Sequence, residues 1–160
     1  MKTCVFAGSF DPFTIGHEYV VDSALKSFDK VIIALGENVD KEHMFTLEER
    51  MAIISACYGD NDRVEIAHFK GMLVDFMKER GVYINVRGVR DIDDYKYETT
   101  MTRYNTDSYP ELITFYIPTP TDLAHISSTA MRNILKINGK VEAYVPSKAV
   151  KLVKDIAKGK

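Results

Sequence analysis

Five short, almost uninterrupted apolar runs recur along the chain, and helix-like stretches separate them. The runs are rich in valine, isoleucine and aromatic residues and cover residues 2–7, 30–35, 64–67, 83–86 and 112–117. Strands buried on both faces have this continuous character, whereas half-exposed strands alternate between apolar and polar residues. Helices are predicted over residues 17–28, 46–58, 72–80 and 91–107. Thr46 followed three residues later by Glu49 predicts a capping box at the start of the second helix. The alternation predicts an α/β fold: a doubly wound, Rossmann-like parallel five-stranded sheet with helices on both faces.

The C-terminal part of the chain predicts two further helices. Ser127 and Ser128 can cap a helix over residues 129–136, because serine oxygens accept hydrogen bonds from first-turn amides. Pro-Ser opens a last predicted helix over about residues 146–157. The sequence shows neither a repeat nor a low-complexity tract, so we expect a single domain over residues 1–160. Its ligand should lie at the carboxyl ends of the strands.

Composition excludes several classes of function. The net charge of −2 gives no overall basic field for nucleic acid, so we expect small phosphorylated ligands bound by local cations. No apolar run approaches the roughly 20 residues that a membrane helix needs, so no membrane association is expected. Cys4 and Cys57 fall in a predicted buried strand and helix. Two such cysteines indicate reduced thiols and a cytoplasmic protein.

The loop after the first predicted strand has the composition of a phosphate site. Residues 8–12, Gly-Ser-Phe-Asp-Pro, lead to Gly16 and His17 at a helix start. Helix N-terminal amides attract anions, glycines let a phosphate approach the backbone, and Ser9 can donate a further hydrogen bond. The loop lacks the Gly-Lys-Ser/Thr of a Walker motif and the three-glycine spacing of a dinucleotide fingerprint. His17 taken alone is also compatible with a helix-start histidine that binds nothing.

Cationic residues follow two further predicted strands. Arg87 and Arg90, separated by Gly-Val, come directly after the fourth run, and guanidinium groups bind phosphate bidentately. Lys41 lies in the loop after the second run. Solvated surface residues remain an alternative for all three, and Glu98 in the following helix could belong to an exposed acidic face. A hydroxyl-rich helix start at residues 125–129, His-Ile-Ser-Ser-Thr, can offer amides and hydroxyls to phosphate.

These motifs, taken together and in order, resemble a known family. The first loop with Thr-x-Gly-His at residues 14–17 closely resembles the signature of the nucleotidylyltransferase superfamily. Residues 44–50, 87–90, 97–98 and 126–129 then follow in the order found in bacterial phosphopantetheine adenylyltransferases. That resemblance implies transfer of the adenylyl group of ATP to 4'-phosphopantetheine, giving 3'-dephospho-coenzyme A and pyrophosphate.

The resemblance also implies roles for individual residues. His17, Lys41 and Arg90 would be catalytic. Phosphopantetheine would contact Ser9, Lys41, Leu73 and Arg87. ATP would contact Ser9, Phe10, His17, Gly88, Val89, Arg90, Glu98, Leu123, Ala124, His125, Ile126, Ser127, Ser128 and Thr129.

The implied reaction needs cations more than it needs a base. A phosphate nucleophile is already an anion near neutral pH, so the protein has to align the groups and stabilise charge on the pyrophosphate. We therefore expect a cationic cage that includes His17, together with Mg2+ that arrives with ATP. No Cys-x-x-Cys or His-Glu-x-x-His motif predicts a protein-held metal. The resemblance further implies a homohexamer and feedback inhibition by coenzyme A.

Two alternatives are distinguishable. Residues 126–132, Ile-Ser-Ser-Thr-Ala-Met-Arg, also resemble an element of nicotinamide mononucleotide adenylyltransferases. That family usually carries histidine at the position of Thr14, and it does not account for residues 44–50 or 97–98. A non-catalytic nucleotide or coenzyme A sensor of the same fold is the second alternative. Retention of His17 and of the cations disfavours it.

Overall fold

The computed structural model describes residues 1–37 and 42–160 of the chain. Five strands and six helices alternate within these residues. The strands are β1 (Thr3–Gly8), β2 (Lys30–Glu37), β3 (Val64–Lys70), β4 (Ile84–Val89) and β5 (Ile113–Pro118). The helices are α1 (Ile15–Ala24), α2 (Leu47–Tyr58), α3 (Leu73–Glu79), α4 (Ile92–Ser108), α5 (Ser128–Lys136) and α6 (Val150–Ala157).

The five strands form one parallel sheet in the order β3-β2-β1-β4-β5. From β1 the chain winds through β2 to β3, then returns across the sheet to β4 and continues to β5. The direction of winding therefore reverses between β1 and β4, which are neighbours. In sheets of this kind a crevice opens at that reversal, outside the carboxyl ends of the two strands. The predicted fold class is confirmed.

Apolar side chains cover both faces of the middle of the sheet, where β1, β2 and β4 contain buried residues as their apolar runs predict. The expected burial is wrong for β3 and β5, which contain no buried residue because each lies at an edge of the sheet. On one face Phe6, Ile33 and Val86 pack against residues of α1, α2, α5 and α6. On the other, Val5 and Ile32 pack against α3. α4 lies on this second face too, because its Thr102 hydroxyl is 2.6 Å from the Tyr116 hydroxyl of β5. Its exposed side chains are mostly polar, but they include a strip of Tyr97, Met101 and Tyr104.

Several predicted boundaries differ from the observed ones. α1 begins at Ile15, two residues early, because Thr14 caps it, and it ends at Ala24 rather than near residue 28. β3 continues to Lys70, held by pairing with β2 as far as Glu37. The last helix begins at Val150 and not near residue 146, because residues 147–149 form a separate turn before it.

Two predicted helix caps and the predicted burial of both cysteines are confirmed. Thr46 and Glu49 form a reciprocal capping box at the start of α2, and Ser127 caps α5 by accepting a hydrogen bond from the Ala130 amide. Cys4 and Cys57 are buried free thiols. None of the helices among the described residues is both long and apolar enough to span a bilayer.

Candidate active site

A cavity of about 320 Å³ opens at the carboxyl ends of β1 and β4, where the winding of the sheet reverses. Three parts of the chain form its walls. They are the loop from β1 into α1, the end of β4 with the start of α4, and the turn that leads into α5. These segments are far apart in the sequence, and the sheet alone brings them together. The cavity occupies the place that the fold class predicts for a ligand.

The first loop turns sharply at Phe10, whose backbone has a left-handed φ of 49°. This conformation directs the Phe10 ring into the core, where it packs edge-on against Phe6 with centroids 5.2 Å apart. A Cβ atom at Gly8 would lie 3.0 Å from the Phe10 ring, so a side chain at this position would press against the ring. The buried ring leaves the backbone of Phe10 as the part that can meet a ligand.

Two buried residues anchor this loop to α2 and to the segment before it. The carboxylate of Asp11, which is 1% exposed, accepts hydrogen bonds from the amides of Met44 at 3.0 Å and Phe45 at 2.9 Å. Nη1 of Arg50 donates to the carbonyl oxygen of Ser9 at 2.8 Å. Both contacts pair buried polar groups that would otherwise destabilise the fold. The loop is therefore held as a rigid part of the core.

His17 is the third residue of α1 and is held by the residue that caps this helix. Nδ1 of His17 accepts a hydrogen bond from the Thr14 amide at 3.0 Å, and the Thr14 hydroxyl oxygen lies 3.1 Å from the same nitrogen. The imidazole lies among Phe6, Phe10 and Phe13, with ring centroids 6.2, 5.0 and 5.4 Å away. Burial, with the positive charges of Arg90 and Arg87, lowers the pKa of His17 to about 4.

The end of β4 supplies two arginines in different environments. Arg87 donates from Nε and Nη2 to the two carboxylate oxygens of Glu98, at 2.8 and 2.7 Å, and from Nη1 to the carbonyl oxygen of Ala7 at 2.6 Å. These bonds fix its guanidinium between β1 and α4. Arg90 is more exposed, and its Nε lies 3.6 Å from the carboxylate of Asp94. One arginine is thus fixed by three hydrogen bonds, and the other makes a longer ion pair at the rim.

The start of α5 closes the cavity opposite α1. The Ser128 hydroxyl donates to the Pro12 carbonyl oxygen at 2.8 Å, and Arg132 Nη1 donates to the Asp11 carbonyl oxygen at 2.8 Å. First-turn amides of a helix have no partner within the helix, so those of Ser128 and Thr129 are available to an anion. Two helix N-termini, those of α1 and α5, therefore border one cavity.

Comparison with known proteins assigns the chain to a family. Residues 5–134 match the family described as cytidylyltransferase-like. The phosphopantetheine adenylyltransferase of Cytophaga hutchinsonii is 40% identical over 147 residues, which are 92% of this chain and 98% of that protein. That of Geotalea daltonii is 34% identical over 91% of each chain. This chain belongs to the phosphopantetheine adenylyltransferase family.

Solved structures show the same fold at a greater distance. A bifunctional NMN adenylyltransferase/ADP ribose pyrophosphatase from Francisella tularensis, complexed with AMP and a manganese ion, superposes with a TM-score of 0.71. The match is 19% identical and covers 99% of this chain and 51% of that one. At that identity the likeness shows the fold alone. Membership of the phosphopantetheine adenylyltransferase family rests on the sequence relatives.

Most site residues expected from the family resemblance line the cavity. These are Ser9, Phe10, His17, Arg87, Gly88, Arg90, Glu98, Leu123, Ile126, Ser127, Ser128 and Thr129. Val89, Ala124 and His125 adjoin the lining residues without being part of the wall. Leu73 lies elsewhere, at the start of α3 with the core cluster of the second face. Lys41 lies outside the described residues.

Several lining residues had no individual role in the sequence analysis. Asp94 and Arg132 border the cavity, and so do Asp11, Thr14 and Gly16 of the predicted phosphate loop. A signal for Thr14 was present, since threonine three residues before His17 has the spacing of a capping box. Arg132 closes the Ile-Ser-Ser-Thr-x-x-Arg element. For Asp94 the sequence offers no comparable signal.

The surroundings of His17 oppose the charge that we expected of it. His17 was expected to contribute a positive charge to a cationic cage, but a pKa of about 4 makes its imidazole neutral at pH 7. The cause is tertiary: three phenylalanine rings exclude water and two arginines repel a further positive charge. Within the described part of the cavity, the fixed positive charges are those of Arg87, Arg90 and Arg132.

Proposed function

We propose that this protein transfers the adenylyl group of ATP to 4'-phosphopantetheine, forming 3'-dephospho-coenzyme A and pyrophosphate. An oxygen of the phosphopantetheine phosphate attacks the α-phosphorus of ATP, and the bond from that phosphorus to the pyrophosphate oxygen breaks. The observation that carries the proposal is the single cavity in which two helix N-termini meet Arg87, Arg90 and His17. Family membership identifies the acceptor.

The chemistry fits the groups that line the cavity. The nucleophile needs no deprotonation, so alignment and neutralisation of charge are the main requirements. Arginines and helix amides supply positive potential for two polyanions, whose repulsion in a dry pocket would otherwise cost several kcal/mol. We assign Ser127–Thr129 and Arg90 to the ATP phosphates, and Arg87 with Ser9 to the phosphate of phosphopantetheine. Lys41 is proposed as a further catalytic cation.

Mg2+ is proposed to enter bound to ATP, as part of the substrate. Among residues 1–37 and 42–160, no group of three or more histidine, cysteine, aspartate or glutamate side chains is placed to hold a metal ion. The cavity carboxylates of Asp94 and Glu98 face Arg90 and Arg87 instead. A metal held by triphosphate oxygens suits this arrangement, because it would neutralise charge where the leaving group forms.

One assay tests the proposed reaction. Purified protein with MgATP is offered 4'-phosphopantetheine, nicotinamide mononucleotide or glycerol 3-phosphate, and pyrophosphate release is followed for each. We expect pyrophosphate only with 4'-phosphopantetheine, together with a product of the mass of 3'-dephospho-coenzyme A. Pyrophosphate release with nicotinamide mononucleotide would contradict 4'-phosphopantetheine as the acceptor. No pyrophosphate release with any acceptor would identify a non-catalytic binder of this fold.

Coenzyme A is proposed as a feedback inhibitor, since it carries the phosphopantetheine arm of the acceptor and the nucleotide of the product. Such a molecule should compete for the same cavity. Initial rates at increasing coenzyme A should therefore show an apparent KM for 4'-phosphopantetheine that rises while kcat is retained. A fall in kcat at unchanged KM would instead indicate a separate inhibitory site.

A homohexamer is proposed as the assembled form. Tyr97, Met101 and Tyr104 follow one another on one face of α4 and are 64%, 40% and 66% exposed. An apolar strip of this kind is costly to leave in water and suits a contact between copies. Light scattering after size exclusion should give six times the chain mass of 18.2 kDa. A monomer at micromolar concentration would refute it.

We further propose that the protein acts in the cytoplasm, where its two buried thiols stay reduced.

A further inference from the structure

Helices α1 and α2 both begin with a capping box, but the residue three places after the capping threonine differs between them. In α2 the capping box is the ordinary one, with the carboxylate of Glu49 accepting the Thr46 amide at 2.8 Å. In α1 the corresponding acceptor is Nδ1 of His17, which accepts the Thr14 amide at 3.0 Å. Glutamate or glutamine usually fills this position. Unlike a carboxylate, an imidazole in this position has a second nitrogen, and the capping contact determines which of the two carries the proton.

A backbone amide always donates, so the nitrogen that faces it must accept. Nδ1 of His17 therefore carries a lone pair, and the single proton of the neutral ring resides on Nε2. Protonating Nδ1 would set two N–H groups against each other and open the capping box. The Thr14 hydroxyl oxygen, 3.4 Å from the His17 amide, holds the helix start in the position that keeps this contact. Among the described residues Nε2 has no hydrogen-bond partner, and the ring borders the cavity.

We propose that Thr14 is a positioning residue that locks His17 as the neutral tautomer with its proton on Nε2, so that α1 presents one uncharged N–H donor to a phosphoryl oxygen. His17 then forms a hydrogen bond to the transferring group without giving up or taking a proton. The role of this donor in turnover rests on the proposed function, whereas the tautomer itself does not.

Charged groups around the ring favour the same state. The arginines that line the same cavity are Arg87 and Arg90 from the end of β4 and Arg132 from α5. The cavity carboxylates are engaged elsewhere: Glu98 by Arg87, Asp94 by Arg90, and Asp11 by the Met44 and Phe45 amides. Within the described cavity, no unengaged carboxylate is left to stabilise an imidazolium ion. A neutral donor also avoids adding to the repulsion among the three arginines.

Nitrogen NMR of the protein without substrate tests the lock directly. In protein labelled with 15N-histidine, the signals of His17 are assigned by their loss in His17→Gln. At pH 7 we expect an unprotonated Nδ1 and a protonated Nε2. A proton on Nδ1, or a protonated ring, would overturn the proposal. Because neither ATP nor acceptor is present, this outcome is independent of whether the proposed reaction is correct.

Substitutions at His17 test what the donor contributes. Glutamine can both close the capping box and serve as a donor, because its amide oxygen accepts a hydrogen bond from the Thr14 amide and its NH2 group donates one. Glutamate keeps the capping box but lacks the donor. We expect His17→Ala to fold and to lose about 100-fold or more in kcat, and His17→Gln to retain at least about tenfold more kcat than His17→Ala or His17→Glu. Equal losses in all three variants would contradict a neutral donor.

Substitutions at Thr14 test the positioning role. Thr14→Val removes the hydroxyl at nearly constant volume and should lower kcat about tenfold or more with little change in KM, whereas Thr14→Ser should retain most of kcat. The matched control is Thr46→Val, which removes the same cap from α2, outside the cavity. It should lose similar stability with unchanged kcat. If Thr46→Val lowers kcat equally, or if Thr14→Ser fails to rescue, the role given to Thr14 is refuted.

Discussion

Arg87 and Glu98 join the strand and the helix that form one wall of the cavity, through two parallel hydrogen bonds of 2.7 and 2.8 Å. A fork-to-fork pair of this kind fixes the plane of the guanidinium as well as its position. The third bond of Arg87, to the Ala7 carbonyl oxygen, ties the same group to β1. Glu98 is the only buried residue of α4, and its ion pair holds this helix at the cavity together with the contact between Thr102 and Tyr116.

Replacing Glu98 should impair the binding of phosphate through Arg87. In Glu98→Gln the side chain keeps its size but loses its charge, so Arg87 is no longer held in one plane. We expect KM for 4'-phosphopantetheine to rise about tenfold or more and the free energy of unfolding to fall by about 2 kcal/mol. Steady-state kinetics and urea denaturation measure the two effects. Asp93→Asn, at an exposed carboxylate of the same helix, is the control and should change neither.

The low pKa of His17 predicts how stability depends on pH. The unfolded chain binds a proton at this residue near pH 6.5, whereas the folded protein binds it only near pH 4. Below pH 6.5 protonation therefore favours the unfolded chain, and stability falls as the pH decreases towards 4. This residue accounts for up to about 3 kcal/mol of the fall. Urea denaturation between pH 7.5 and 4.5 should show a smaller fall in His17→Gln. Parallel curves for the two proteins would contradict the shifted pKa.

Gly88 allows β4 to pack closely against α1. A Cβ atom at this position would lie 2.7 Å from Cγ2 of Val20, which is closer than real side chains approach. Gly88→Ala should therefore push α1, and with it His17, away from β4. We expect a loss of about 1–3 kcal/mol in stability and a reduced kcat.

A second substitution, at Val20, should compensate for Gly88→Ala. Val20→Ala removes the methyl group that Gly88→Ala would strike, so the double variant should recover kcat relative to Gly88→Ala. Failure of Val20→Ala to improve Gly88→Ala would show that the glycine serves the ligand and not the packing.

Arg50 should matter for the first loop although it does not line the cavity. Its guanidinium is 3% exposed and donates to the Ser9 carbonyl oxygen. Lysine cannot reproduce both this bond and the bond from Nε to the Thr46 carbonyl oxygen, so Arg50→Lys should lower stability by about 2 kcal/mol and raise KM for ATP.

A second arginine provides the matched control for Arg50. Arg63 also donates to backbone carbonyl oxygens, those of Asp29 and Phe28, but at the amino ends of the strands. Arg63→Lys should lower stability without changing the kinetics. If both variants alter KM for ATP equally, the effect of Arg50→Lys is a general loss of stability and not a displaced loop.

Local patterns in the sequence were sufficient for the architecture and for much of the site. Continuous apolar runs predicted five parallel strands, since such runs are typical of strands covered on both faces. Burial followed for β1, β2 and β4 but not for the edge strands β3 and β5. Hydroxyl residues at fixed spacing predicted the caps at Thr46 and Ser127, because a cap involves residues three apart. The ordered motifs identified the family and named most of the residues that line the cavity.

Tertiary structure decided which of those residues act together and in what state. The sequence does not show that three phenylalanine rings surround His17, and this burial makes neutral an imidazole that we expected to be charged. It does not show that Glu98 is bound by Arg87, nor that Leu73 lies with the second-face core outside the cavity. Residue types and short spacings are local properties of a chain. Charge states and ion pairs depend on distance and exclusion of water, which exist only once the sheet has brought distant segments together.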